Sequence, residues 1–160
     1  MVSVKLICVG KMKEKFYIQA AEEYAKRLSA YCRLEIIELP EERLPDRPSA
    51  AEIERALDAE KLAIVRKTPP GSYVTAMCIE GKELSSTELA AMFKALMNAG
   101  ESSLVFIIGG SNGLSEDLKK RAGLRLSMSP MTFPHHLARV MLLEQIYRAF
   151  KINEGSAYHK

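Results

Sequence analysis

What the chain lacks narrows its identity quickly. No stretch approaches the ~18 apolar residues that a membrane span requires, so no transmembrane helix is expected. The opening MVSVKLICVGKMK has only a short apolar run and no cleavage signature, which leaves the cytosol as the expected compartment. Cysteine is scarce: Cys8, Cys32 and Cys78 are odd in number, scattered, and without C-x-x-C spacing. They read as reduced core thiols, not as a disulfide framework or a zinc site. There is no G-K-[ST], which removes a P-loop, and no G-x-G-x-x-G. Acidic residues are missing between Asp117 and Glu144. The carboxylate that should hold a ribose ~20 residues after a dinucleotide loop is therefore absent. Nicotinamide and nucleoside-triphosphate chemistry are both poor readings.

What is present is an ordinary globular composition. The 160 residues are 48% hydrophobic and 27% charged, enough for one domain with its own core and too apolar for disorder. No internal repeat or second domain interrupts residues 1–160. The net charge of +3 conceals an asymmetry. From Lys119 onward eight basic residues face only Glu144 and Glu154, so that segment carries +6 and residues 1–118 carry −3. Such a bias suits a phosphate-rich partner. A second cluster, Lys5, Lys11, Lys13 and Lys15, falls at the first strand-to-helix turn and reads equally well as plain solubility.

Apolar runs at 2–9, 34–39, 73–79, 104–108 and 124–128 predict strands. Between them lie helical patterns. Phe16, Ala20, Tyr24 and Leu28 share one face over 15–30. Ser49 with Glu52 forms a capping box for a helix to about residue 66. Ser85 or Ser86 opens another through 97, stopped by Asn98-Ala99-Gly100. Ser115 caps 116–121, and Pro134 stands at the first turn of a long final helix, 134–152. The alternation predicts an α/β fold, a mostly parallel sheet with helices on both faces. Residues 39–48 (LPEERLPDRP) form the most loop-like segment.

In such a sheet ligands bind beyond the carboxyl ends of the strands, and two ends are unusual. After the fourth strand comes Gly109-Gly110-Ser111-Asn112-Gly113-Leu114, where two glycines permit close backbone approach and Gly113 suits a positive φ. A tight turn with no ligand is the competing reading. After the fifth comes Ser127-Met128-Ser129-Pro130-Met131-Thr132-Phe133-Pro134, a loop stiffened by two prolines and lined with soft apolar side chains fit for an adenine or a thioether.

The final helix is apolar nearly all round, with Leu137, Val140, Met141, Leu142, Leu143, Ile146, Tyr147 and Phe150. It must be covered on both sides, and a second copy of itself is the simplest outer cover. His135, His136 and Arg139 share a ~100° arc at its start, delivered by the ligand-like loop. Glu144, Arg148 and Lys151 share another, read as structural because Glu144 and Arg148 stand at i, i+4. The adjacent histidines point ~100° apart and have no ligand partner at metal spacing, so no metal is expected. The tail GSAYHK is rich in functional groups for a terminus: Tyr158 can stack on a base and His159 can exchange protons near neutral pH.

VKLICVGKMKEKF, VFIIGGSNGL and LSMSPMTFPHHLARVMLLEQIYRAFKINEGSAYHK, three separated motifs in this order and at matching distances, resemble the ribosomal RNA large-subunit methyltransferase H family, a minimal branch of the SPOUT superfamily. The resemblance spans essentially the whole chain. It implies a C-terminal trefoil knot, which periodicity alone argues against, a homodimer, and S-adenosylmethionine bound in the knot without a metal. The family's cofactor contacts fall on Met77, Gly109, Gly110, Met128, Ser129, Pro130, Met131, Thr132 and Phe133. Met77 replaces the family's usual leucine at nearly constant volume. The implied substrate is a pseudouridine in the helix 69 loop of 23S ribosomal RNA, methylated at N3 on assembled ribosomes. Arg139 is the first choice for stabilising the deprotonated base. His135, Tyr158 and His159 are the candidates for base contact or proton transfer, the last two reaching in from the partner subunit. A non-catalytic ribosome-binding factor of the same fold, or a methyltransferase acting on transfer RNA, are the competing readings.

Overall fold

Along β1 (Ser3–Val9) side chains alternate between two apolar layers, as a strand's period of two dictates. Val4, Leu6 and Cys8 enter one core, while Ile7 and Val9 enter the other. Both layers need cover, and the helices divide between them. The computed structural model describes residues 1–158. In chain order the remaining elements are α1 (Lys15–Leu28), β2 (Arg33–Leu39), α2 (Ala50–Lys67), β3 (Tyr73–Glu83), α3 (Ser86–Asn98), β4 (Ser103–Ile108), α4 (Glu116–Arg121), β5 (Leu124–Ser127) and α5 (His135–Asn153). The sheet is wholly parallel in the order β2-β1-β4-β3-β5. Core residues of α1, α3 and α5 pack on the Leu6 side, and those of α2 and α4 on the Ile7 side.

Local signals place the helix starts. Ser49 and Glu52 exchange both capping-box bonds at 3.1 Å. Of the two serines that could open α3, Ser85 is the cap, because Glu88 lies three residues on and returns the second bond at 2.9 Å. The Ser86 hydroxyl instead donates to Gln145 Oε1 on α5 at 2.6 Å. Ser115 accepts from the Leu118 N–H, as its position predicts.

Two elements differ from the sequence reading. Helix α1 ends at Leu28, two residues early. Strand β3 continues to Glu83, past the apolar run. It pairs with β5 through Thr75–Met77, loops away, and meets β5 again at Lys82 and Glu83. That extension is polar and exposed, so it lacks the apolar signature of a strand and exists only because β5 is there to pair with it.

Neighbouring β1 and β4 send their crossovers in opposite directions, β1 to β2 and β4 to β5. Their helices α1 and α4 cover opposite faces. The carboxyl ends of β1 and β4 are therefore the topological switch point, the expected ligand position in an open parallel sheet.

Candidate functional site

Beyond the ends of β3, β4 and β5 lies a cleft of about 500 Å³, within the size range of small-molecule sites. Its wall brings together Met77 from β3, Gly109 and Gly110 after β4, Met128, Ser129, Met131, Thr132 and Phe133 after β5, and His135 from the first turn of α5. Pro130 is exposed at the tip of the same loop and does not reach the wall. That loop is pinned from within: Ser127 Oγ donates to the Ser129 carbonyl at 3.1 Å, and the Met131 N–H donates to Ser129 Oγ at 3.0 Å. Met131 is nonetheless 74% exposed and Phe133 37%, large apolar side chains left uncovered beside the cleft.

The glycine-rich loop is built for close approach, but to protein. A β-carbon on Gly109 would collide with the Gly113 carbonyl, and Gly113 itself holds φ +75°. One on Gly110 would sit 2.7 Å from Glu41 Oε1. That carboxylate accepts the Ser111 N–H at 2.8 Å. The segment 39–48, which reads as mere connection, thus clamps the loop through Glu41.

At the β1–β4 switch point Arg139 is the central group. It is 4% exposed; Nη1 donates to Glu38 Oε2 at 2.7 Å and Nη2 to the Gly10 carbonyl at 3.2 Å. The same Glu38 oxygen accepts the Met12 N–H at 2.8 Å. Burial pushes the Glu38 carboxyl up, but the bonds from Arg139 and Met12 outweigh it and hold the group below the usual carboxylate range. Arg139 therefore ties α5 to the β1–α1 turn and does not line the cleft. One helical turn earlier His135 does line it. Burial, with help from neighbouring His136, holds the His135 imidazole below its ordinary pKa, against an opposing pull from Glu41. His136 Nδ1 lies 3.3 Å from Glu14. Its Nε2 and Arg139 Nε are buried without a hydrogen-bond partner among the described residues.

The carboxylate on the cleft wall comes from β3 and not from the segment after the glycine-rich loop. Glu80, on the extension of β3, lines the cleft and pairs with Lys119 of α4 at 2.6 Å. Glu38, Glu41 and Glu80 were all invisible to motif spacing. The one usable clue was topological, since Glu38 and Glu41 straddle the carboxyl end of β2.

Tyr158 stands apart from the cleft in its own chain. Its hydroxyl donates to Glu144 Oε2 at 3.0 Å, and Arg148 lies 4.8 Å above its ring. Glu144 follows His135 by nine residues, ~13 Å along the helix. Arg148 also pairs with Glu144 at 2.7 Å, so Glu144, Arg148 and Tyr158 form a connected network, whereas Lys151 of the same arc bonds Glu154 at 2.7 Å and Tyr31 at 3.2 Å. His159 lies outside the described residues. No cluster of three or more potential metal ligands occurs among the described residues, and no helix there is long and apolar enough to cross a membrane.

Comparison with known proteins agrees with this geometry. A family model described as "Predicted SPOUT methyltransferase" matches residues 2–159. The chain is 51% identical over 158 residues to the ribosomal RNA large subunit methyltransferase H of Clostridioides difficile (strain 630), covering 99% of each. Among solved structures, a probable methylase family protein from Haemophilus influenzae Rd KW20 superposes with a TM-score of 0.56 at 11% identity, over 100% of this chain and 72% of that one. A probable methyltransferase from Bordetella pertussis Tohama I gives 0.54 at 15% identity, over 92% and 96%. These two likenesses concern the fold alone.

Proposed function

Because this chain belongs to the ribosomal RNA large-subunit methyltransferase H family of SPOUT methyltransferases, we propose that it methylates N3 of a pseudouridine in the helix 69 loop of 23S ribosomal RNA, on assembled ribosomes in the cytoplasm, with S-adenosylmethionine as donor. The observation that carries this reading is convergence: β3, the loop after β4, and the loop after β5 meet in one cleft.

The cleft fits the donor. Exposed Met131 and Phe133 offer an apolar seat for adenine, and the loop backbone around Ser129 supplies polar groups for its edge without a charged side chain. Met77, Gly109, Gly110, Met128, Ser129, Met131, Thr132 and Phe133 would hold it, with Pro130 stiffening the loop from its exposed tip, at the C-terminal crossing that the family folds as a trefoil knot. When bound, S-adenosylmethionine supplies an electrophilic methyl group on its sulfonium. The protein's own contribution is to fix the base nitrogen against that position and to deal with the N3 proton. His135, on the cleft wall and held neutral, is the group placed to accept it. Arg139 acts as a positioning residue: direct contact with the base would require it to leave both Glu38 and Gly10. Tyr158 and His159 contribute from the partner subunit of a homodimer. Half-buried Leu137, Val140 and Met141 on α5, beside a second cleft of about 350 Å³ walled by Leu84, Leu89, Met128 and Met141, support that dimer.

Incubation with labelled S-adenosylmethionine and either purified ribosomes or transfer RNA tests the proposal. Label should enter ribosomal RNA. Incorporation into transfer RNA alone would move the substrate, and absence of cofactor binding by calorimetry would leave a non-catalytic ribosome factor.

A further inference from the structure

Among the described residues, only two side chains on the cleft wall carry a full charge, Glu80 and Lys119. The remaining wall is apolar, hydroxyl-bearing or backbone, apart from the Cys78 thiol, the Asn112 carboxamide and the His135 imidazole. Glu80 and Lys119 also line a neighbouring cleft of about 440 Å³, so the pair stands on the rim between the two. Their contact at 2.6 Å is asymmetric in burial: the Lys119 side chain is 12% exposed and that of Glu80 48%. Lys119 keeps a second carboxylate, Glu116, at 3.2 Å. The three groups together carry one excess negative charge.

We propose that Glu80 and Lys119 recognise the α-amino acid end of S-adenosylmethionine, Glu80 accepting from its ammonium and Lys119 donating to its carboxylate. The inference rests on the methyltransferase reading and names the part of the site that reading leaves unassigned. An adenosine moiety needs no charged partner, and the loop after β5 offers none. The amino acid end bears an ammonium and a carboxylate side by side, and desolvating them calls for one acid and one base at the same place. Among the described residues, only Glu80 and Lys119 meet that requirement on this wall. Binding exchanges their mutual contact for two contacts to the ligand. Glu116 keeps Lys119 compensated while Glu80 turns, and Glu80 is exposed enough to turn. The excess negative charge also suits the donor, whose sulfonium gives it a net charge of +1 at neutral pH.

Calorimetry with two ligands separates recognition from a stitch between β3 and α4. S-adenosylmethionine carries the amino acid end, and 5′-methylthioadenosine has the same adenosine and a thioether but lacks it. Glu80→Gln and Lys119→Met should each weaken S-adenosylmethionine about tenfold or more, while methylthioadenosine changes by no more than about twofold. Equal weakening of both ligands, or an unchanged Kd for S-adenosylmethionine, overturns the proposal. If Lys119→Met fails to fold, Glu80→Gln, at a half-exposed position, decides the question alone. Binding of methylthioadenosine with the expected discrimination lost leaves the methyltransferase reading standing; binding of neither ligand by the unaltered protein overturns both.

Discussion

Replacing Arg139 by alanine would strand the Gly10 carbonyl and leave the Glu38 carboxylate with the Met12 N–H but no cation. Breaking a buried pair by removing one partner costs about 3–5 kcal/mol. Glu38 keeps 35% of its side chain exposed, so a loss of about 2–3 kcal/mol in urea unfolding is expected. The double variant Glu38→Gln with Arg139→Met should recover part of it. Ribosome methylation should fall in Arg139→Ala while cofactor affinity holds; undiminished methylation would remove Arg139 from the mechanism.

His135 makes a pH prediction. Burial depresses its pKa, so the unfolded chain takes up the proton near 6.5 and the folded chain only at lower pH. The unfolded state binds more protons in that window. Stability contributed by neutral His135 is thus complete above about 6.5 and declines as pH falls toward the lowered value. If His135 is the base, kcat/KM should fall over an acid limb with its midpoint below about 6.5. A His135→Gln variant that retained this limb would assign it to another group. Glu38 is lowered as well, so its contribution is present above the ordinary carboxylate range and lost at much lower pH, well separated from the histidine limb.

Helix starts were legible because their partners lie three residues away. Ser85→Ala removes one bond of the α3 capping box and should cost about 1 kcal/mol by thermal or urea unfolding. A cost near zero would mean that packing alone holds this end of α3. The glycine-rich loop behaves differently, since its constraint comes from Glu41, 70 positions away. Gly110→Ala should displace that carboxylate, break the bond to Ser111 N, and weaken cofactor binding. In a Glu41→Ala background the same substitution should be nearly silent. An equal penalty in both backgrounds would show that the glycine answers to something else. The polar end of β3 was illegible for a related reason: residues 80–83 carry no apolar alternation, and only pairing to β5 makes them a strand.

For the whole molecule, the nearly all-round apolar character of α5 predicts cover on both sides. Within one chain, α1, α3 and the sheet bury Leu142, Leu143, Ile146, Ala149 and Phe150 but leave Leu137, Val140 and Met141 half-covered. Met141→Glu should shift the protein to a monomer in sedimentation velocity and reduce methylation with it. A dimer that survives this substitution uses another face.

The sequence by itself determined the five strands, the helix caps, the absence of nucleotide motifs and the loops that meet in the cleft. Those features rest on periodicity and on contacts a few residues apart, and the family resemblance extended them to a cofactor and a substrate. Tertiary structure alone decided that Glu80 lines the cleft, that Glu41 braces its glycine-rich loop, and that Arg139 faces Glu38 and not the cleft. Arg139 and Glu38 lie 101 positions apart. No local pattern reports such a pair, because the strand order that joins them is set by burying both faces of the sheet at once.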